Sequence, residues 1–471
     1  MVDRQLLSKL PAVESLLQDA SLAALAERMP RRVLVDCVRA AVEQLRGELL
    51  ADSPDAVVGE TDEAGLRILL LARVRQRADA AERPYYQNVI NATGIILHTG
   101  LGRAVLPKAV LRRFEEQFGG YSLLQTDPDT GRRSQRDAPI ERLLQRLTGA
   151  EAATIVNNNA AATMIVLNTV AQGREVIVSR GHLVEIGGSF RLPDVMEKSG
   201  VRLVEVGTTN KTHPRDYEAA VTENTAAIMR IHPSNYKITG FTSEVSLAEL
   251  VEIGRRHGVP VIDDVGAGSL VDFSRFGFEP EPTLPESIRD GADLVTSSGD
   301  KLIGASQAGL ILGRADLITR IRKNPLARIV RVDKLTLAAM EVTLSLFLDE
   351  NTALAEVPTL ALLRRGFDEI ARQADRIAET LGRASLNADV SVVDGFSQMG
   401  SGSLPTQNLP TRLVALAPRG VSLDELGLRL RGGRPPVFAR LHKDHVLFDP
   451  RTLLDGDEPR LVEVIIGSLS H

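Results

Sequence analysis

The chain has 471 residues, 43% hydrophobic and 25% charged, the composition of an ordinary folded protein of two or three domains rather than a disordered or fibrous one. Its formal net charge of −5 argues against broad nucleic-acid binding driven by total charge, and its single cysteine, Cys37, excludes an intramolecular disulfide framework and a cysteine-rich metal site. The longest apolar runs, such as residues 68–72, fall well short of a membrane span, and the N-terminus carries no continuous apolar signal region, so a cytoplasmic location is expected.

Residues 1 to about 83 read as helical. Apolar residues recur at helical spacing near residues 6–18, 31–50 and 60–78, with breaks at Pro11, Pro30 and Pro54. Cys37 lies in the second of these segments and is expected to be a small core residue. Arginines cluster at Arg31 and Arg32 and again at Arg73, Arg75 and Arg77, a local basic stripe that the overall charge does not rule out.

From about Val89 the pattern changes. Apolar β-type runs at 153–156, 176–178, 201–206, 226–231, 259–262, 294–296 and 308–312 alternate with helical patterns at 140–147, 160–171 and 247–257. That alternation predicts a mainly parallel sheet covered by helices, in which ligands bind at the carboxyl ends of strands. After about Asp333 come helical runs at 334–348 and 360–381. They are followed by short strands at 390–393, 412–417, 437–441 and 445–448, with helices at 423–430 and 458–468. The expected organisation is a helical domain (1–83), a large α/β domain (84–333) and a smaller C-terminal α/β domain (334–471).

Three segments of the middle region carry chemistry. In GADLVTSSGDKLIGASQAGLILG (residues 291–313), Lys301 stands between two apolar strands after a Ser-Ser-Gly-Asp turn. Burial there disfavours the ammonium form and frees the amine as a nucleophile, which a Schiff base to pyridoxal phosphate requires. A lone lysine at a strand end would more simply snorkel to water, so two further elements decide the reading. In VPVIDDVGAGSL (259–270) a buried strand ends in two carboxylates followed by small residues, and a carboxylate against the ring nitrogen is what the same cofactor needs; Asp264 is the first choice and Asp263 the second. In ATIVNNNAAATM (153–164) a strand runs into Asn157, Asn158 and Asn159, and then an alanine-rich helix begins at Ala160. A helix start offers a phosphate seat, Ser298 can add a hydroxyl, and the simpler alternative is an Asn N-cap. A strand-end pair of aspartates can also be a metal site or a helix cap, but no resident metal is expected. A second anion site is suggested by arginines beside glycine-rich or turn sequence. These are Arg103 at the end of INATGIILHTGLGR (90–103), Arg132, Arg133 and Arg136 in TGRRSQRD (130–137), and Arg328 and Arg331 in NPLARIVRVDK (324–334). Whether they converge is not visible in the sequence.

The order of phosphate-binding helix start, strand-end aspartate and lysine between strands is that of the aspartate-aminotransferase-like fold type I enzymes that use pyridoxal 5'-phosphate. The longer motifs are more specific. Together with those above, SRGHLVEIGGSFRLPDVM (179–196), IHPSNYKITGFT (231–242), RVDKLTLAA (331–339), LLSKLPAVESLL (6–17), LRLRGG (428–433) and PPVFARL (435–441) closely resemble the bacterial selenocysteine synthases, the L-seryl-tRNA(Sec) selenium transferases, over nearly the whole chain. The resemblance implies conversion of seryl-tRNA(Sec) to selenocysteinyl-tRNA(Sec) by β-elimination to an aminoacrylyl intermediate and addition of selenium from selenophosphate. It implies Lys301 as the catalytic, cofactor-bearing residue, with Asp264, Ser298, Asn157, Asn158, Asn159, Ala160 and His182 around the cofactor. Arg103, Arg136, Arg328 and Arg331 are implied for the selenium donor. It further implies a tRNA-binding N-terminal domain, with Arg73, Arg75 and Arg77 as candidates, and a homodecamer built as a ring of dimers.

The chain departs from the family pattern in carrying His182 where glutamate is usual, Gly100 where asparagine is usual, and RRSQRD in place of a more glycine-containing stretch. Two rival readings remain. One is a related lyase using the same cofactor on a small amino acid or amino sugar acid, which would leave the N-terminal domain without a purpose. The other is a non-catalytic tRNA-binding relative, against which the lysine, aspartate and phosphate loop all speak.

Overall fold

A computed structural model of the protein describes residues 7, 9–50, 62–188, 190–405 and 407–470. Of the positions used above, Leu6, Ser8, Pro54 and Glu60 lie outside the described residues. The chain divides into two compact units, Met1–Asn88 and Val89–His471. None of the described helices is long and apolar enough to cross a membrane.

The first unit is helical. Its long helices are Arg31–Leu50 and Glu63–Glu82, the second capped by the Asp62 carboxylate, which accepts from Gly65 N–H at 2.8 Å. Shorter helices, Val13–Leu17 and Ala23–Arg28, precede them, the latter not anticipated from the sequence. Leu16, Leu34, Val38, Leu45, Leu66, Leu70 and Val74 close a common core, and Cys37 is buried with a free thiol. Arg73 pairs with Glu48 at 2.7 Å and Arg77 donates to Gln44 at 2.6 Å, while Arg75 faces solvent.

In the second unit the strands are β1 (Ile90–Ala92), β2 (Ala152–Val156), β3 (Glu175–Ser179), β4 (Glu185–Ile186), β5 (Phe190–Arg191), β6 (Arg202–Val206), β7 (Thr225–Ile231), β8 (Val261–Gly266), β9 (Leu294–Ser298), β10 (Gly309–Gly313), β11 (Ala388–Ser397), β12 (Leu409–Pro418), β13 (Val437–His442) and β14 (His445–Phe448). Seven of them form one sheet in the order β2-β10-β9-β8-β7-β3-β6. Only β10 runs against its neighbours, and the other pairings are parallel. Each of the seven apolar runs read from the sequence lies in or overlaps one of these strands. β2, β9 and β10 are buried at every position, as strands covered on both faces must be. Alternate residues feed two cores: Val261, Val295 and Leu310 pack on one face, and Ile262, Leu294 and Ile311 on the other.

The second sheet has the order β1-β13-β14-β12-β11. β1 pairs parallel with β13, so a strand from the start of the unit is built into the C-terminal sheet. The helical run expected over 360–381 is two helices, Pro358–Arg364 and Phe367–Arg383. Arg365 and Gly366 adopt extended backbone between them, and the Arg365 guanidinium reaches the Pro450 carbonyl at 2.6 Å.

β1 leads into a tight junction around Asp449. That carboxylate is fully buried and accepts from Ser397 Oγ (2.7 Å), Thr411 Oγ1 (2.8 Å), Arg440 Nη2 (2.9 Å) and the Arg451 N–H (3.0 Å). Gly94, at φ +72°, lies so close that a Cβ there would stand 1.9 Å from Asp449 Oδ2. Gly94→Ala is therefore expected to destabilise the protein by about 2–4 kcal/mol, through both strain and displacement of a buried charge. Gly119→Ala, at an open position, should stay within about 0.5 kcal/mol. Denaturant midpoints check this, and equal midpoints for the two variants would refute it.

Candidate active site

β9 ends at Ser298, and Gly299 to Ala308 turn the chain back into antiparallel β10, with Gly299 N–H closing on the Ala308 carbonyl at 2.9 Å. Lys301 sits in this turn, only 6% exposed, and Gly304 N–H bonds its carbonyl at 3.0 Å. Burial pushes the amine below the ordinary lysine value, and the nearby Arg103 guanidinium pushes the same way; the Asp300 and Asp264 carboxylates oppose them. Arg103, itself at φ +62°, bonds Asp300 at 2.8 Å.

β8 runs on through Gly266, so the two aspartates lie within the strand rather than at its end, and the pleat sends them to opposite faces. Asp264 faces the helix Asn159–Ala171, where its Oδ1 accepts from Asn159 Nδ2 at 2.8 Å and its Oδ2 from Thr163 Oγ1 at 3.0 Å. Complete burial raises its affinity for a proton, and these hydrogen bonds oppose the rise. Asp263 is equally buried on the other face, held by Arg230 Nη1 at 3.3 and 3.4 Å and Ser287 Oγ at 2.7 Å. Lys301 feels Asp264, which makes Asp264 the aspartate that shares its site.

The three asparagines have separate employments. Asn157 is exposed, and its N–H donates to the Val330 carbonyl at 3.0 Å. Asn158 is the N-cap of the helix, accepting from Ala161 N–H at 2.8 Å, so the capping alternative holds for its side chain. Asn159 is turned to Asp264, and its Oδ1 is left buried without a partner. Ala160 follows in the first helical turn, whose leading backbone N–H groups have no acceptor within the helix itself. Ser298 closes β9 and is buried, Thr296 in the same strand faces Asp264 and adds to the bonds that oppose its rise, and Ser297 Oγ is buried without a partner. Thr163 was not singled out in the sequence, although its position four residues after Asn159 puts both on one helix face.

Of the candidate arginines, the structure gathers Arg136, Arg328 and Arg331, with Arg133. Arg136 holds its proton less firmly than an ordinary guanidinium, first because it is partly buried and then because the charges of Arg331, Arg133 and Arg328 surround it. Its Nη1 donates to the Val332 carbonyl at 3.0 Å and its Nη2 to Gln125 at 2.8 Å. Arg133, Arg328 and Arg331 are exposed, and none of the four pairs with a carboxylate within 4.0 Å among the described residues. Arg103 is engaged separately, by Asp300.

His182 is buried at the end of the turn Arg180–His182 that follows β3, with Nε2 3.1 Å from Glu244 Oε1. Among the described residues no cluster of three or more His, Cys, Asp or Glu side chains is arranged to hold a metal ion.

Residues 89–454 match the L-seryl-tRNA selenium transferase family, and residues 7–46 match the N-terminal region of selenocysteine synthase. The chain belongs to the L-seryl-tRNA selenium transferase family. It is 48% identical to the L-seryl-tRNA(Sec) selenium transferase of Solidesulfovibrio magneticus over 97% of each chain. It is 47% identical to that of Desulfomicrobium baculatum over 95% of this chain and 96% of the relative. The corresponding protein of Alkaliphilus metalliredigens is 43% identical over 98% of both. Among solved structures, D-glucosaminate-6-phosphate ammonia-lyase superposes with a TM-score of 0.55 at 20% identity, covering 82% of this chain and 97% of its own. That likeness concerns the fold, which is the fold type I arrangement expected from the sequence.

A buried lysine amine has a consequence for stability. Between its lowered value and the ordinary 10.5, the unfolded chain holds a proton that the folded chain has released, so stability rises with pH; below that window the full cost of the buried ammonium is present. Lys301→Met in cofactor-free protein should therefore be more stable than the parent at pH 7. Its advantage should shrink as pH approaches 10.5. Denaturation at a series of pH values tests this, and a parent protein more stable than the variant at pH 7 would contradict it.

Proposed function

We propose that the protein converts L-seryl-tRNA(Sec) to L-selenocysteinyl-tRNA(Sec), with pyridoxal 5'-phosphate as cofactor and selenophosphate as selenium donor. The observation that carries this reading is the buried pair of Lys301 and Asp264 in a chain 43% identical, over 98% of its length, to an L-seryl-tRNA(Sec) selenium transferase. The residues present fit the cofactor. Lys301 is a buried amine depressed toward its neutral form, Asp264 is a buried carboxylate, and Asn159 Oδ1 and His182 Nδ1 are buried polar atoms without partners.

Lys301 would hold the cofactor aldehyde, Asp264 the ring nitrogen, and Ser298 with the helix start at Asn157–Ala160 the phosphate, while His182 borders the ring. Bound pyridoxal phosphate supplies an electron sink for the bond broken at the seryl Cα. Lys301, uncharged, takes the proton from that Cα and returns it once selenium has replaced the hydroxyl on Cβ. Asp264, desolvated and oriented by Asn159 and Thr163, would meet the ring nitrogen and stabilise a proton there. Arg328 and Arg331, with Arg103 and Arg136 beside them in role, bind the oxyanion of the selenium donor; bidentate guanidinium bonds suit such oxygens.

On the same reading the N-terminal helical unit binds the tRNA body by shape and backbone contacts, with Arg75 its freest basic candidate. The protein acts in the cytoplasm as a homo-oligomer, a decamer built as a ring of dimers. The expected boundaries 1–83, 84–333 and 334–471 describe this division only roughly, because β1 belongs to the small sheet and Leu337, Met340 and Leu344 pack in the core of the large one.

The deciding experiment gives purified holo-protein seryl-tRNA(Sec) and selenophosphate, with free serine and seryl-tRNA(Ser) as controls, and identifies the aminoacyl product by mass. Selenocysteine only on tRNA(Sec) is expected. Product from a small amino acid and none on tRNA would move the protein to the small-molecule lyases. Arg328→Ala and Arg331→Ala should each slow selenium transfer at least tenfold, the loss of a charged hydrogen bond, while loss of the seryl hydroxyl is slowed much less. Equal slowing of both steps would remove these arginines from the donor site.

A further inference from the structure

The chemistry above leaves one carboxylate without a task. Glu244 stands outside every motif that marks the site, yet it is the sole hydrogen-bond partner that the described residues give the His182 ring. His182 is 4% exposed; its Nε2 is 3.1 Å from Glu244 Oε1, and its Nδ1 is buried with no partner. Glu244 also stands 3.8 Å from Arg230 Nε, and Arg230 in turn holds Asp263. A line of groups thus runs from the end of β3 to β8, the strand that carries Asp264. The segment after β7 closes the same corner. The Tyr236 hydroxyl donates to the Gly181 carbonyl, next to His182, and His232 N–H donates to the Asp264 carbonyl at 2.9 Å.

The chemistry of the pair is directional. A carboxylate only accepts hydrogen bonds, so it draws the imidazole proton to Nε2 and leaves Nδ1 as the ring's remaining polar atom. Glu244 is a carboxylate under ordinary conditions, because the His182 hydrogen bond holds its pKa below the usual range against the opposing effect of burial. A ring held at one nitrogen by a charge, with its other nitrogen buried and unbonded, is prepared for a contact that something outside the protein must complete.

We propose that Glu244 is a positioning residue for the cofactor: through Nε2 it holds the His182 imidazole in one orientation and one tautomer where the cofactor binds. The inference rests on the cofactor reading above.

The test is a titration of cofactor-free protein with pyridoxal phosphate, followed by the visible absorbance of the bound cofactor, with thermal unfolding of each cofactor-free protein as the fold control. Glu244→Ala should weaken binding about tenfold, the loss of one charge-assisted hydrogen bond, with little change in unfolding temperature. Glu244→Gln, which keeps an oxygen to accept from Nε2, should recover most of the affinity. In a His182→Ala background, Glu244→Ala should add no further loss, because its effect passes through the ring. Unchanged affinity in Glu244→Ala, or a tenfold loss that persists without His182, overturns the inference while leaving the cofactor reading intact. A parent protein that binds no pyridoxal phosphate overturns both. Should Glu244→Ala fail to fold, Glu244→Asp serves instead: its shorter side chain must weaken binding where Glu244→Gln does not, and equal affinities for the two would overturn the proposal.

Discussion

Two adjacent carboxylates buried in the middle of one sheet are the constraint around which this protein is arranged. Removing a carboxylate from water costs several kcal/mol unless charges or hydrogen bonds are built around it. Asp263 and Asp264 impose that requirement on both faces of β8 at once. One face answers with Arg230 from β7 and Ser287 from the helix Leu284–Arg289. The other answers with Asn159 and Thr163, one helical turn apart, and with Lys301 across the neighbouring strand. The first set is closed, a charge met by a guanidinium and a hydroxyl. The second is open: its donors are neutral, its cation is a lysine pressed toward losing its proton, and several of its polar atoms have no partner.

Much of this was legible in the chain. The apolar runs marked all seven strands of the large sheet, even the partly exposed β6, because strands of a helix-covered parallel sheet are rich in apolar residues. The lysine between strands was legible for the same reason. The preference for Asp264 over Asp263 gains its physical reason only from the structure, where the pleat of β8 sends the two to opposite faces. Other features had no local signal. β1 is three residues long, too short to show a period, and its partner β13 lies far along the chain. The two helices after Pro358 read as one because their apolar spacing continues across Arg365 and Gly366, where only backbone geometry breaks it. Glu244 is 62 residues from His182, and nothing in either neighbourhood announces the other. The three asparagines looked like one phosphate motif, whereas capping, a link to Asp264 and a backbone bond divide them.

The arginines illustrate a different limit. Each alone reads as a solvated surface residue, and their meaning lies in being together. Four guanidinium groups near one another repel, with the Asp137 carboxylate opposing, and that repulsion adds to burial in lowering the proton affinity of Arg136. Such an arrangement is held only because the fold ties it. Arg136 clamps the Val332 carbonyl, and Asn157 N–H binds the Val330 carbonyl, so the segment that carries Arg328 and Arg331 is pinned on both sides of Arg331. An oxyanion bound there, as proposed above, would relieve repulsion already built in and so bind more strongly than hydrogen bonds alone provide. Arg136, with both terminal nitrogens engaged, contributes by pinning as much as by charge.

The small sheet takes part in the same chemistry through Arg103. After β1 the chain remains bound to the C-terminal sheet: Gly94 packs on Asp449, Leu97 N–H donates to the Met399 carbonyl at 2.7 Å, and Ser401 Oγ donates to the Leu97 carbonyl at 2.6 Å. Only then does it turn, through left-handed backbone at Gly102 and Arg103, to place the Arg103 guanidinium on Asp300. Asp300 precedes Lys301, and its charge alone would favour the lysine's ammonium form; Arg103 offsets that charge and adds its own repulsion. The readiness of Lys301 to be neutral is thus shared between two sheets. Burial at the end of the large one removes water from the amine, and a segment anchored in the small one supplies the cation that keeps the neighbouring carboxylate from restoring its proton.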